Sequence, residues 1–127
     1  MIDIILVAAA TIFGLTLGAT FPDIDLAPPL PLKHRSAWTH GPFIAVALSW
    51  AIAWHPLLFW FALGATPALC LHLFKDMFPH KWHGGALIKL YPLPITLPAM
   101  LSFIYLALGV YWSGRLFVDL FLSLNLI

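Results

Sequence analysis

The sequence predicts an all-α polytopic membrane protein: about four short transmembrane helices plus a C-terminal interfacial helix, in one integral membrane domain covering residues 1–127. Three observations predict it. The 127 residues are 62% apolar and only 9% charged, with a mean hydropathy of +0.97, well outside the composition of water-soluble domains. Four apolar runs recur along the chain, at 4–21, 42–54, 57–74 and 93–112. The ionisable residues stand between or beside these runs, with none near the middle of a crossing.

Taken in order, the first run is apolar and rich in alanine near its start, as a secretory signal would be. Its flank carries Asp3 and neither lysine nor arginine, and it leads into Pro22-Asp23-Ile24-Asp25, so it reads as a retained transmembrane helix. Gly14 and Gly18 are spaced for close helix packing. The second run has about 13 residues before His55-Pro56, too few for a full crossing, so it is short, tilted, or begins below the surface at Thr39. With His55-Pro56 as a tight turn, it forms a helical hairpin with the third run. Cys70, in that third run, is the single cysteine, which excludes an internal disulfide and leaves a packing role. The fourth run is long enough to span. The stretch 115–127 is apolar but interrupted by Asp119 and Asn125, and is expected to lie along the interface or against a partner helix. The tryptophans mostly flank apolar runs, as an aromatic belt does.

Threading these crossings brings the motif segments 22–41 and 72–92 to one membrane face. That face carries Lys33, Arg35, Lys75, Lys81 and Lys89, whereas the other carries only Arg115 and the amino terminus. The positive-inside rule then makes the motif face cytoplasmic, and the expected location is a bacterial inner (plasma) membrane. Net charge is +1 and no long basic cluster exists, which excludes a nucleic-acid footprint. Expected partners are membrane lipid and, through the apolar faces, further copies of the chain or a larger membrane complex.

The chemistry follows from where the acids stand. The chain has five acidic residues and no glutamate, and three of the five, Asp23, Asp25 and Asp76, adjoin apolar runs. A carboxylate at a membrane boundary is costly unless paired, hydrated or bound to a cation. Asp23 and Asp25, in an extended segment after Pro22, place two oxygen ligands close together. His34-Arg35-Ser36-Ala37-Trp38-Thr39-His40 supplies two imidazoles, a hydroxyl and a guanidinium, and His72 and Asp76, four apart, share one helical face. Mixed imidazole and carboxylate ligands suit a divalent metal of the zinc, manganese or iron kind, zinc or manganese first. The expected ligands are Asp23, Asp25, His34, His40, His72 and Asp76. Arg35 would orient a phosphate through its planar fork, and Asp25 and His40 would move protons.

The order Gly18, Pro22-Asp23-Ile24-Asp25, His34-Arg35, Thr39-His40 and His72-Leu73-Phe74-Lys75-Asp76 resembles the YdjM-like family of predicted membrane-bound metal-dependent hydrolases. The likeness covers roughly residues 14–95. It implies a small helical membrane enzyme, acting on a phosphoester or phospholipid, with a metal held by these Asp and His residues and a late proline filled by Pro92 or Pro94. The chain departs from the pattern at Leu26, where the family commonly has histidine, and in the six-residue step from His34 to His40. A third departure is the segment after Asp76, where His80, Lys81, Trp82 and His83 replace a Gly-rich turn.

Each motif also has a plainer reading. Asp23 and Asp25 can cap helix ends beside a proline, His34 and Arg35 can snorkel to the interface, and His72 with Asp76 can be a simple intrahelical pair. His55 reads as a turn residue, and His80, Trp82 and His83 as an interfacial anchor. A second function class is a non-catalytic accessory or assembly subunit of a larger membrane complex, with histidines ligating haem or pigment. The convergence of three separate pairs on one face favours the metal-dependent hydrolase.

Overall fold

A computed structural model describes residues 3–22, 35–82, 86–90 and 93–125. Within them the chain is all-helical: α1 (Ile4–Thr20), α2 (Phe43–Ala51), α3 (Pro56–Asp76) and α4 (Ala99–Leu124). The helix ends obey local chemistry. Asp3 caps α1 by accepting from the Ile5 N–H at 2.9 Å, and the helix stops just before Pro22. His55 is the N-cap of α3, its Nδ1 accepting from the Leu57 N–H at 3.1 Å with Pro56 at the first helical position, so its turn role is a capping role.

Among the described residues two helices, α3 and α4, are long and apolar enough to cross a membrane, fewer than the four expected. The 21 residues of α3 run about 31 Å, matching a hydrocarbon core of about 30 Å. α1 is apolar but has 17 residues, and α2 has 9, or about 13 Å. The C-terminal expectation also changes. The 115–127 stretch is no separate interfacial helix; through Leu124 it continues α4, whose 26 residues extend about 39 Å. Asp119 does not break it because Arg115 lies one turn earlier, 3.4 Å away, and Ser123 returns its hydroxyl to the Asp119 carbonyl. The start of the fourth run, by contrast, is not helical before Pro98.

Packing is arranged with small residues inside and large apolar ones outside. Ala62, Gly64, Ala65, Thr66 and Ala68 of α3 are buried, as are Ser102, Gly109 and Ser113 of α4, while Ile4, Ile5, Phe13, Trp50, Trp54, Leu71 and Met100 face outward. The buried hydroxyls of Thr66 and Ser113 are satisfied by carbonyls one turn back, Ala62 O at 2.8 Å and Gly109 O at 2.6 Å. α1 lies parallel to α3. A Cβ at Gly14 or Gly18 would strike the backbone of Phe61 or Ala65, and one at Gly64 the backbone of Thr11, so the two helices meet main chain to main chain. α4 runs antiparallel to α3, Gly109 lying against Leu73 and Gly114 against Cys70. α2 rests on α3 and α4, and α1 and α2 do not pack against each other.

At the end where α1 and α3 finish, irregular chain is stitched to the bundle. Ala37 N–H donates to Lys89 O at 2.8 Å and Lys89 N–H to Arg35 O at 3.0 Å, a parallel bridge that continues through Leu97 N–H to Ile88 O. Ser102 accepts from Ile88 N–H and donates to Leu97 O, and Tyr105 donates to Ala37 O at 2.6 Å, so α4 anchors both strips.

Candidate metal centre

His40 sits on the turn that leads into α2. Its N–H and that of Thr39 both donate to Ser36 O, and the following residue must be glycine, because a Cβ on Gly41 would overlap the Tyr105 ring. The turn therefore presses its backbone against α4, Gly41 against Gly109, and His40 is fully buried. His72 and Asp76 arrive on the last turns of α3, where the negative end of the helix dipole favours a cation.

The three side chains converge. Asp76 Oδ2 lies 3.3 Å from His72 Nε2 and 3.5 Å from His40 Nε2, and one ligand atom from each residue falls within 4.8 Å of the others. Two ligands bound tetrahedrally at about 2.0–2.1 Å stand about 3.3 Å apart, so these separations are those of a shared ion with little adjustment. The partners of the other ring nitrogens fix which atoms face inward. His72 Nδ1 lies 2.7 Å from Ala19 O, and since a carbonyl only accepts, Nδ1 carries the proton. The ring then turns Nε2 toward Asp76. His40 Nδ1 is 2.9 Å from Thr39 Oγ1, which also lies 3.3 Å from Ser36 O, so this hydroxyl orients the ring. Both imidazole Nε2 atoms thus face the buried Asp76 Oδ2, an arrangement that a cation or a proton shared among them satisfies.

The opposite oxygen of Asp76 is held by Arg35. Arg35 donates from one terminal nitrogen to Asp76 Oδ1 at 3.2 Å and from the other to the carbonyls of Asp76 and Ala86, at 3.1 and 3.2 Å. Its backbone adopts φ 54°, a left-handed conformation uncommon outside glycine, held by the bridge to Lys89. Arg35 is therefore directed at the carboxylate and two protein carbonyls rather than outward, and both it and Asp76 expose only 12% of their side chains.

Of the six expected ligands, His40, His72 and Asp76 are brought together, while Asp23, Asp25 and His34 lie outside the described residues, as does His83. His80 is exposed and stands outside the cluster. Two contributors were not read from the sequence as parts of the site: the Ala19 carbonyl, which has no sequence signal at all, and Tyr105, which fixes the strip beside Arg35. Thr39 preceding His40 was legible as a hydroxyl donor but not as the group that orients the imidazole. No family model matches this chain, and no curated protein or solved structure matches it either.

Proposed function

We propose that this chain is a membrane-bound metal-dependent hydrolase that cleaves a phosphoester, a phospholipid first, at the cytoplasmic face of a bacterial inner membrane, and that it belongs with the YdjM-like proteins its motifs resemble. The observation that carries the proposal is the meeting of His40, His72 and Asp76 at metal-ligand separations, with one Asp76 oxygen held by Arg35 and the other facing two imidazoles. A single proton would serve one imidazole; a divalent ion serves both and the carboxylate together. The outward-facing isoleucines, phenylalanines and tryptophans support a lipid setting, in which α1 and α2 add shorter apolar segments to the spans of α3 and α4.

A divalent ion, zinc or manganese, would supply Lewis acidity toward a phosphoryl oxygen. The chain's residues do the rest. His40, His72 and Asp76 would hold the ion, and Arg35 orients the Asp76 carboxylate. Asp23, Asp25 and His34 remain the proposed source of further ligands and of the base that takes a proton from the attacking water. Water oxygen bonds to phosphorus, the ester P–O bond breaks, and the proton ends on the leaving alkoxide. The pigment-bearing alternative asks for histidines turned to lipid, whereas His40 is buried and His72 turns inward to Asp76.

Elemental analysis of the purified full chain, with phosphatase and phosphodiesterase assays on phosphatidic acid and phosphatidylglycerol vesicles, tests this. The expected result is stoichiometric zinc or manganese, lost in His72→Ala, with activity lost in Asp23→Ala and His40→Ala. A metal-free protein whose activities survive both substitutions would remove the proposal.

A further inference from the structure

α4 carries two charged side chains deep within its length. Its antiparallel register on α3 sets Gly109 against Leu73 and Gly114 against Cys70, so Arg115 lies level with about residue 68 of α3 and Asp119 with about residue 64. Thr66 is the midpoint of α3, so the two charges straddle the middle of that span. They also face outward. Arg115 and Asp119 are both exposed, and among the described helices α4 packs only on α3 and α2. The face they occupy is regular: Ile104, Leu108, Tyr111, Arg115, Val118 and Leu122 follow one another at alternating steps of four and three residues, and every one of them is exposed. Such a repeat of 3.5 residues keeps one line of side chains along a partner helix.

We propose that this face of α4 is the interface between two copies of the chain, joined within the bilayer through Arg115 and Asp119. The inference rests on the membrane setting proposed above for α3 and α4 and is independent of the hydrolase chemistry. Hydrocarbon argues against leaving the face open, because charged side chains at mid-depth are costly when turned to lipid and face a partner or water instead. Their own pairing leaves most of that cost in place. A single contact of 3.4 Å joins Arg115 Nε to Asp119 Oδ2, and Tyr111 of the same helix adds a hydrogen bond, whereas a guanidinium has five donors and a carboxylate about four acceptor sites. Charge selects the occupant. A cation and an anion one turn apart are self-complementary: a two-fold axis along the bilayer normal sets Arg115 of each copy beside Asp119 of the other, an alternating cluster of four charges. Copies inserted with the same orientation also hold both seams at one depth, so the apolar seam residues on either side of the charges meet their counterparts. In detergent, where water reaches the exposed pair and the copies are dispersed, the pair contributes little to the melting of one copy.

The test is fluorescence energy transfer between donor-labelled and acceptor-labelled full-length chains in phosphatidylcholine vesicles, over a series of lipid dilutions. The unaltered chain is expected to associate. Arg115→Asp and Asp119→Arg, each alone, set like charges across the interface and should weaken self-association at least tenfold. Mixed together, these two variants should associate within threefold of the unaltered chain, as should the double exchange of Arg115→Asp with Asp119→Arg, because each arrangement restores opposite charges across the seam. The combination of Arg115→Leu and Asp119→Leu, which inserts at least as readily, should also lose association at least tenfold. Phe13→Ala, on the outward side of α1, should stay within twofold. In a Cys70→Ser background, Val118→Cys and Leu122→Cys should cross-link between copies and Phe13→Cys should not. The inference is overturned by a chain that stays single at every dilution, its charges hydrated from the recess they share with Ser49, by equal association in all the charge variants, or by cross-linking at position 13 and not at 118. Flotation with the vesicles reads the setting separately: a chain that does not float removes the membrane reading and this inference with it, whereas a floating chain that stays single removes the dimer alone.

Discussion

Two pairs of residues in this protein share the same spacing and have different fates. His72 and Asp76 on α3, and Arg115 and Asp119 on α4, each stand four apart on one helical face, at 3.3 and 3.4 Å. The α4 pair is 59% and 57% exposed and is joined by Tyr111 of its own helix, whereas the α3 pair is 14% and 12% exposed and receives His40 and Arg35 from one loop and the Ala19 carbonyl from α1. A one-turn spacing brings two groups together; a site requires what other segments bring to them. The α4 pair answers a local need, keeping a charge tolerable in a long apolar helix. The α3 pair is a platform onto which remote chain has been fastened.

Removing the platform should have the largest effect. Asp76→Ala is expected to abolish stoichiometric metal, weakening zinc affinity by more than about 100-fold, and to destabilise the fold by about 3 kcal/mol because Arg35 is left buried without its carboxylate. Competition with a chromogenic chelator and thermal unfolding in detergent read the two effects separately. Normal metal binding in that variant would reduce the α3 pair to the status of the α4 pair. Next comes Arg35→Ala, which leaves the three ligand atoms in place but frees one Asp76 oxygen; metal affinity should drop about 10- to 100-fold. Thr39→Val keeps the shape of the side chain and removes the hydrogen-bond partner of His40 Nδ1, so a loss near the bottom of that range, about tenfold, is expected in the same titration. At the far end of the scale, Arg115→Ala and Asp119→Ala should leave both metal content and melting temperature unchanged within error, since an exposed pair contributes little. A loss of metal in either would show that the two regions are coupled through α4 and would break the contrast.

Much of the fold was legible because membrane-like segments announce themselves by composition. The runs at 4–21, 42–54 and 57–74 became α1, α2 and α3 with ends set by Pro22, His55-Pro56 and the chain after Asp76. Gly14 and Gly18 predict close packing, and they meet α3 at the backbone of Phe61 and Ala65. The structure differs from the sequence pattern at both ends of the last helix. Residues 93–97 continue the apolar run, yet Pro94 and Pro98 bracket a strip that bridges to Lys89, and Asp119 interrupts the apolar pattern without ending α4, because Arg115 pairs with it. Counting crossings from apolar length also overstated what the helices supply, since α2 closes after 9 residues.

The sequence by itself determined that the chain is helical and apolar, where its main helices lie, and which residue types have metal-binding chemistry, because these depend on composition and on spacing within one turn. Only the tertiary structure decided that His40 meets His72 and Asp76 and that Arg35 grips the carboxylate. Those contacts join residues 36 and 41 positions apart and include backbone groups such as Ala19 O, and a main-chain carbonyl looks the same at every position in a sequence.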